Sequence, residues 1–168
     1  MARKKTACRL LALLTMTVKT MKREHADVEP VERTLSQGAL DGTCVLVVDD
    51  DADARAILQM WFEYLGCVVV TAESADEAVF LYPRVGPDLV LTDISMPNHD
   101  GYWLVRQLRT LPVTGGPPAP VVAMTAFSAM QNVPLESSGR FDDWVPKPIS
   151  FPELGRTVAR LTRGDVAA

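Results

Sequence analysis

Four short aliphatic runs constrain the fold of this chain more tightly than any other feature. CVLVV (44–48), CVVVT (67–71), DLVLT (88–92) and PVVAM (120–124) are rich in valine and lack the apolar–polar alternation of a strand with one face in water. Continuous apolar strands are buried on both faces, the condition of a parallel sheet covered by helices. Parallel strands also need long crossover connections, so the segments between the runs are expected to be helical.

The periodicity of those segments agrees. Residues 53–65 place Ile57, Leu58, Trp61, Phe62 and Leu65 on one helical face. Residues 75–82 follow Ser74, which with Glu77 makes a capping box. Leu104, Val105, Leu108 and Leu111 repeat the apolar pattern in a third helix. A short fifth strand around Asp143–Pro146 leads to a second capping box, Ser150 with Glu153, and a last helix with Leu154, Val158 and Leu161 on its apolar side. The expectation is an α/β fold: a doubly wound, five-stranded parallel sheet in the order 2-1-3-4-5. A ligand site in such a sheet lies beyond the carboxyl ends of the strands, where the strand order reverses, here between the first and third strands.

Charge divides the chain. Residues 1–42 hold eight Lys/Arg against five Asp/Glu, and the remainder holds nine against sixteen. An acidic body argues against direct DNA binding, which rests on basic side chains at phosphates. The first residues, MARKKTACRLLALLTMTVK, combine a basic start with an apolar run from Leu10 to Val18. No small-residue cleavage site follows, and the run is too short to cross a bilayer, so no membrane role is expected. Residues 1–42 read as an extension, disordered or partly helical, with Met16 or Met21 as a possible true start; 43–162 read as the domain and 163–168 as a tail. Cys8, Cys44 and Cys67 are odd in number and lack metal-ligand spacing, which points to a reducing, cytoplasmic setting.

The strand ends carry the chemistry. The first ends in Asp49-Asp50-Asp51, the third in Asp93, the fourth in Thr125, and the fifth leads to Lys147. Each has a plain reading alone: aspartates cap helices, a strand-end threonine bonds its own backbone, a lone lysine is solvated. Together they converge on the edge where a ligand is expected. Adjacent carboxylates repel and raise one another's pKa, so a cation is expected among them.

With these residues in view, the chain resembles the receiver domain of two-component response regulators over about residues 44–162. VVDDD is similar to the family's acidic pair, DLVLTDISMPNHDG to its phosphoacceptor strand and loop, MTA carries its threonine, and PKP its lysine before proline. The spacing fits as well, with Asp93 43 residues beyond Asp50 and Lys147 22 beyond Thr125. The resemblance implies a flavodoxin-like fold in which Asp93 is the phosphoacceptor, Thr125 and Lys147 complete the catalytic set, and Thr125 and Trp144 form the switch. It implies Mg2+ or Mn2+ held by Asp50, Asp93 and the Ser95 backbone carbonyl, with Asp49 acting through water. It also implies a cis bond before Pro148. Such a protein is not a turnover enzyme; it promotes its own phosphorylation and dephosphorylation. Its expected partners are a histidine kinase or histidine phosphotransfer protein and a downstream protein or second copy, met through the face of the fourth helix, fifth strand and fifth helix. With few residues after the last helix, it is read as a stand-alone receiver.

Two residues depart from the pattern. Trp144 stands where the family usually has Tyr or Phe, and Pro134 falls inside the helix expected between the fourth and fifth strands, at a penalty of about 3 kcal/mol in a helix interior. Either could mark a pseudo-receiver that only binds protein. An Asp-nucleophile phosphatase is a further alternative, although such enzymes offer a second Asp where this chain has Ser95. TGGPP (114–118) reads as a surface insertion, Phe127 as a packing residue or a water barrier, and His99 as a solvated loop residue.

Overall fold

The computed structural model describes residues 35–112, 117–126 and 141–163. Five strands, β1 (Cys44–Val48), β2 (Val68–Ala72), β3 (Leu89–Asp93), β4 (Val121–Ala126) and β5 (Asp143–Lys147), form one sheet in the order β2-β1-β3-β4-β5. Every pairing is parallel. This is the expected fold class and strand order. The helices among the described residues are α1 (Ala52–Tyr64), α2 (Ala75–Val85), α3 (Gly101–Thr110) and α4 (Phe151–Arg163).

The valine runs divide their side chains between two cores, which is why no alternation shows in the sequence. In β1, Leu46 and Val48 pack with α2 and α3 residues such as Ala78, Val85, Leu104 and Leu108. The intervening Val45 and Val47 pack with Leu58 and Phe62 of α1 and with Leu154 and Val158 of α4. Both faces are covered, and the winding is double.

Several helix expectations are refined. Ile57 is 54% exposed, so it lies outside the buried stripe that Leu58, Phe62 and Leu65 form. In α2 the Ser74 hydroxyl accepts from the Glu77 amide, while the Glu77 carboxylate accepts from the Glu73 amide at 2.8 Å rather than from Ser74. The same helix runs through Pro83 to Val85 instead of stopping at Tyr82, and ends on Gly86 in the left-handed conformation (φ 56°). Pro83 is exposed, so its ring faces water while buried Val85 anchors the last turn.

The packed body begins ahead of the expected boundary at residue 43. Leu40 is fully buried, its amide donates to the Leu65 carbonyl at 2.8 Å, and Leu35 and Ala39 pack on the α1–α4 side. At the other end α4 extends to Arg163. No helix among the described residues is long and apolar enough to cross a membrane. Cys8, Phe127, Pro134 and most of the 114–118 loop lie outside the described residues.

Candidate functional site

Because all five strands run the same way, their carboxyl ends share one edge, and the polar residues that follow them meet there. Asp49 comes directly after β1, Asp93 ends β3, Thr125 lies near the end of β4 and Lys147 ends β5. Carboxylate oxygens of Asp49, Asp50 and Asp93 lie within 4.8 Å of one another. The Lys147 ammonium reaches into the group, with Nζ 2.8 Å from Asp93 Oδ1 and 3.2 Å from Asp49 Oδ2.

The three consecutive aspartates have three different environments. Asp49 is 1% exposed, and its Oδ1 accepts from the Asp51 amide at 3.0 Å. Asp50 is exposed at the rim. Asp51 caps α1, its carboxylate accepting from the amides of Asp53 and Ala54 at 2.8 and 3.2 Å, so one member of the acidic run serves the helix. Asp93 is 7% exposed.

Two buried or nearly buried carboxylates require compensation, and Lys147 supplies it. Burial alone would lower the Lys147 pKa. The hydrogen bond and charge of Asp93, with the charge and hydrogen bond of Asp49 behind them, outweigh that effect and raise it above the ordinary lysine value. The donor set of the cluster is carboxylate oxygen alone, the chemistry suited to a hard divalent cation and unsuited to soft metals.

Of the residues picked out from sequence, Asp49, Asp50, Asp93 and Lys147 are brought together. Thr125 is 2% exposed, and its hydroxyl donates to the Ala126 carbonyl at 3.2 Å, the local backbone bond that is the plain reading of a strand-end threonine. Ser95 lies two residues beyond β3 and is exposed. Trp144, half-buried on β5, packs edge-on to Phe141 at 4.9 Å, with Tyr102 at 6.3 Å. His99 is held more firmly than a solvated loop residue: its ring stacks on Trp103 at 3.8 Å, and Nδ1 lies 3.0 Å from Asp76 Oδ2. The Lys147-Pro148 bond is cis.

Two residues at the site escaped the sequence reading. Arg55 turns back from α1, its Nη1 donating to the Asp49 carbonyl at 2.6 Å. Gly101 opens α3 against the end of β3, where a β-carbon would stand 2.6 Å from the Asp93 carbonyl oxygen. The Asp-Gly pair at 100–101 was the only available signal, since Asp100 caps α3 by accepting from the Trp103 amide.

Comparison with known proteins places the chain in a family. An uncharacterized 14.6 kDa protein of Leptolyngbya boryana is 37% identical over 114 residues, covering 68% of this chain and 86% of its own. The transcriptional regulatory protein ResD of Bacillus subtilis is 34% identical over 72% of this chain and 48% of its own. The chain thus spans about half the length of the transcriptional regulators it matches. Among solved structures, the response regulator TrrA of Thermotoga maritima, in complex with Mg2+ and BeF, superposes with a TM-score of 0.62 at 30% identity, covering 71% of this chain and 98% of its own. Residues 45–159 match the family described as the response regulator receiver domain, and the chain belongs to that family.

Proposed function

We propose that this chain is a phosphorylation-dependent signalling receiver whose Asp93 accepts a phosphoryl group from a phosphohistidine of a histidine kinase or histidine phosphotransfer protein. The observation that carries this reading is the Asp93 carboxylate itself: nearly buried at the end of β3, 2.8 Å from the Lys147 ammonium, and beside Asp49 and Asp50. An Asp93 oxygen attacks phosphorus in line. The O–P bond forms as the N–P bond breaks, its electron pair returns to the donor imidazole, and the product is an acyl phosphate.

The chain's own residues position and neutralise. Charge on the equatorial phosphoryl oxygens is what such a transition state must stabilise, and Lys147 is a fixed cation in contact with the nucleophile. Asp49, Asp50 and Asp93, with the Ser95 backbone carbonyl, would hold Mg2+ or Mn2+, which when bound neutralises the remaining charge. Thr125 is the switch hydroxyl. A phosphoryl oxygen is a stronger acceptor than the Ala126 carbonyl that the Thr125 hydroxyl now meets, so modification draws the hydroxyl inward and alters β5 beside it, where Thr125 pairs with Pro146, two residues beyond Trp144.

Protein surfaces for both steps are at hand. Ile57, Met60 and Tyr64 form an exposed apolar stripe along α1, a docking face for a protein donor. Output runs by protein contact, to a second copy or another target, over the face of the helix expected between β4 and β5, which lies outside the described residues, together with β5 and the last helix, α4, where Asp143 pairs with Arg160.

The test is intact-mass measurement after incubation with Mg2+ and acetyl phosphate. Gain of one phosphoryl group, lost in Asp93→Asn, is the expected result. No gain under conditions that label a control receiver would overturn it in favour of a protein-binding module, and phosphate release from small phosphomonoesters would favour a phosphatase.

A further inference from the structure

The turn between β1 and α1 is tied by a run of hydrogen bonds from buried Asp49 to the first turn of the helix. The Asp49 amide still donates to the Ala72 carbonyl at 3.3 Å, the last trace of the β1–β2 ladder. The Asp49 carbonyl then accepts from Arg55 Nη1 at 2.6 Å, while Asp49 Oδ1 accepts from the Asp51 amide at 3.0 Å. Asp51 in turn holds the first turn of α1, and its own carbonyl accepts from the Arg55 amide at 3.0 Å. Arg55 therefore touches the turn twice, once through its backbone and once through its half-buried side chain. Asp50 lies between the two residues so secured, with its carboxylate directed to the cluster it shares with Asp49 and Asp93.

We propose that Arg55 is a positioning residue for the acidic pocket: by clamping the Asp49 carbonyl it fixes the turn that presents Asp50, and it thereby sets the affinity for a divalent cation. The inference rests on the reading of the pocket as a Mg2+ site. A hydrogen bond from a guanidinium to a carbonyl is among the stronger kinds, and the planar fork fixes direction as well as distance. Residues that orient metal ligands from behind typically change affinity by about 10- to 100-fold.

The sign of the effect separates positioning from electrostatics. Arg55 is a positive charge beside a site built for a cation, so charge alone would make its removal strengthen Mg2+ binding. Loss of the clamp acts the other way, because the Asp49–Asp50 peptide loses its charged hydrogen bond and Asp50 is held less firmly in place.

The experiment is calorimetric titration of the full, unphosphorylated chain with MgCl2, in wild type, Arg55→Met and Arg55→Lys, with circular dichroism to verify the fold. Arg55→Met is expected to weaken Mg2+ binding roughly tenfold. Arg55→Lys, which keeps a donor and the charge, is expected to recover part of that loss. Unchanged or tighter binding in Arg55→Met would overturn the proposal while leaving the Mg2+ site intact. Absence of Mg2+ binding in wild type would remove the site itself and the inference with it.

Discussion

Lys147 and Asp93, 54 positions apart in the sequence, form an ion pair of 2.8 Å across the sheet edge, and the same ammonium lies 3.2 Å from Asp49. The resident cation of the acidic pocket is thus part of the chain. Its pKa stands above the ordinary lysine value, since the attraction of the two carboxylates outweighs the penalty of burial. A group raised on folding contributes stability that is fully present below its unfolded value of about 10.4 and is lost as pH rises through the folded value. Wild type should therefore exceed Lys147→Met by about 1–2 kcal/mol at neutral pH, a figure reduced for the partial exposure of the ammonium. Denaturant unfolding without Mg2+ is expected to show that gap holding up to about pH 10 and closing above it.

Asp50 contrasts with its neighbour. It is exposed, whereas Asp49 is buried against Lys147, so removing its charge relieves repulsion without orphaning a cation. Asp50→Asn should weaken Mg2+ binding at least about tenfold while leaving metal-free stability equal to or slightly above wild type. Thermal unfolding with and without MgCl2 measures both: the midpoint rise given by the metal shrinks, and the metal-free midpoint does not fall.

Thr125→Ala separates modification from response. Its hydroxyl now bonds only the Ala126 carbonyl among the described residues, so deletion should cost about 1 kcal/mol and leave acetyl phosphate labelling in place. The conformational consequence of labelling should disappear. Hydrogen exchange over β4 and β5, compared before and after phosphorylation, should change in wild type and Thr125→Ser and stay unchanged in Thr125→Ala.

What the sequence made legible was what local pattern determines. Buried parallel strands reveal themselves as continuous valine runs, and Asp49, Asp93, Thr125 and Lys147 were readable because strand ends in such a sheet have a known common edge. The phase of a helical stripe is less exact: Ile57 satisfies the spacing yet lies past its edge, at 54% exposure, beyond the reach of the core that Leu58 and Phe62 fill. Pro83 removes an amide and so signals a stop, but the signal does not show that the ring faces water and the helix continues. Arg55 and Gly101 stayed hidden for a different reason. Each acts on the backbone of another element, and such an approach leaves no periodic trace; for Gly101 the Asp-Gly pair marks the helix start but not the close contact.

Gly101→Ala tests that close approach. The added carbon would meet the Asp93 carbonyl oxygen at 2.6 Å and Ile94 Cα at 2.9 Å, both backbone atoms that cannot swing aside. Relief requires α3 to move away from β3, breaking the 2.9 Å hydrogen bond from the Gly101 amide to the Ile94 carbonyl. A loss of about 2–3 kcal/mol is expected in denaturant unfolding, with slower acetyl phosphate labelling as the Asp93 backbone shifts.

Met60 provides the test of the donor face. It is 71% exposed midway along the Ile57–Met60–Tyr64 stripe, so a polar replacement stays in water. Met60→Glu should therefore leave folding stability within about 0.5 kcal/mol of wild type. A charge in the middle of an apolar contact must be desolvated when a partner docks, which weakens that contact by about 1–3 kcal/mol, or roughly 5- to 150-fold. Acetyl phosphate is too small to need the stripe, so the ratio of the transfer rate from a phosphohistidine protein to the rate from acetyl phosphate should fall by that factor. An unchanged ratio would show that the donor approaches Asp93 from another side.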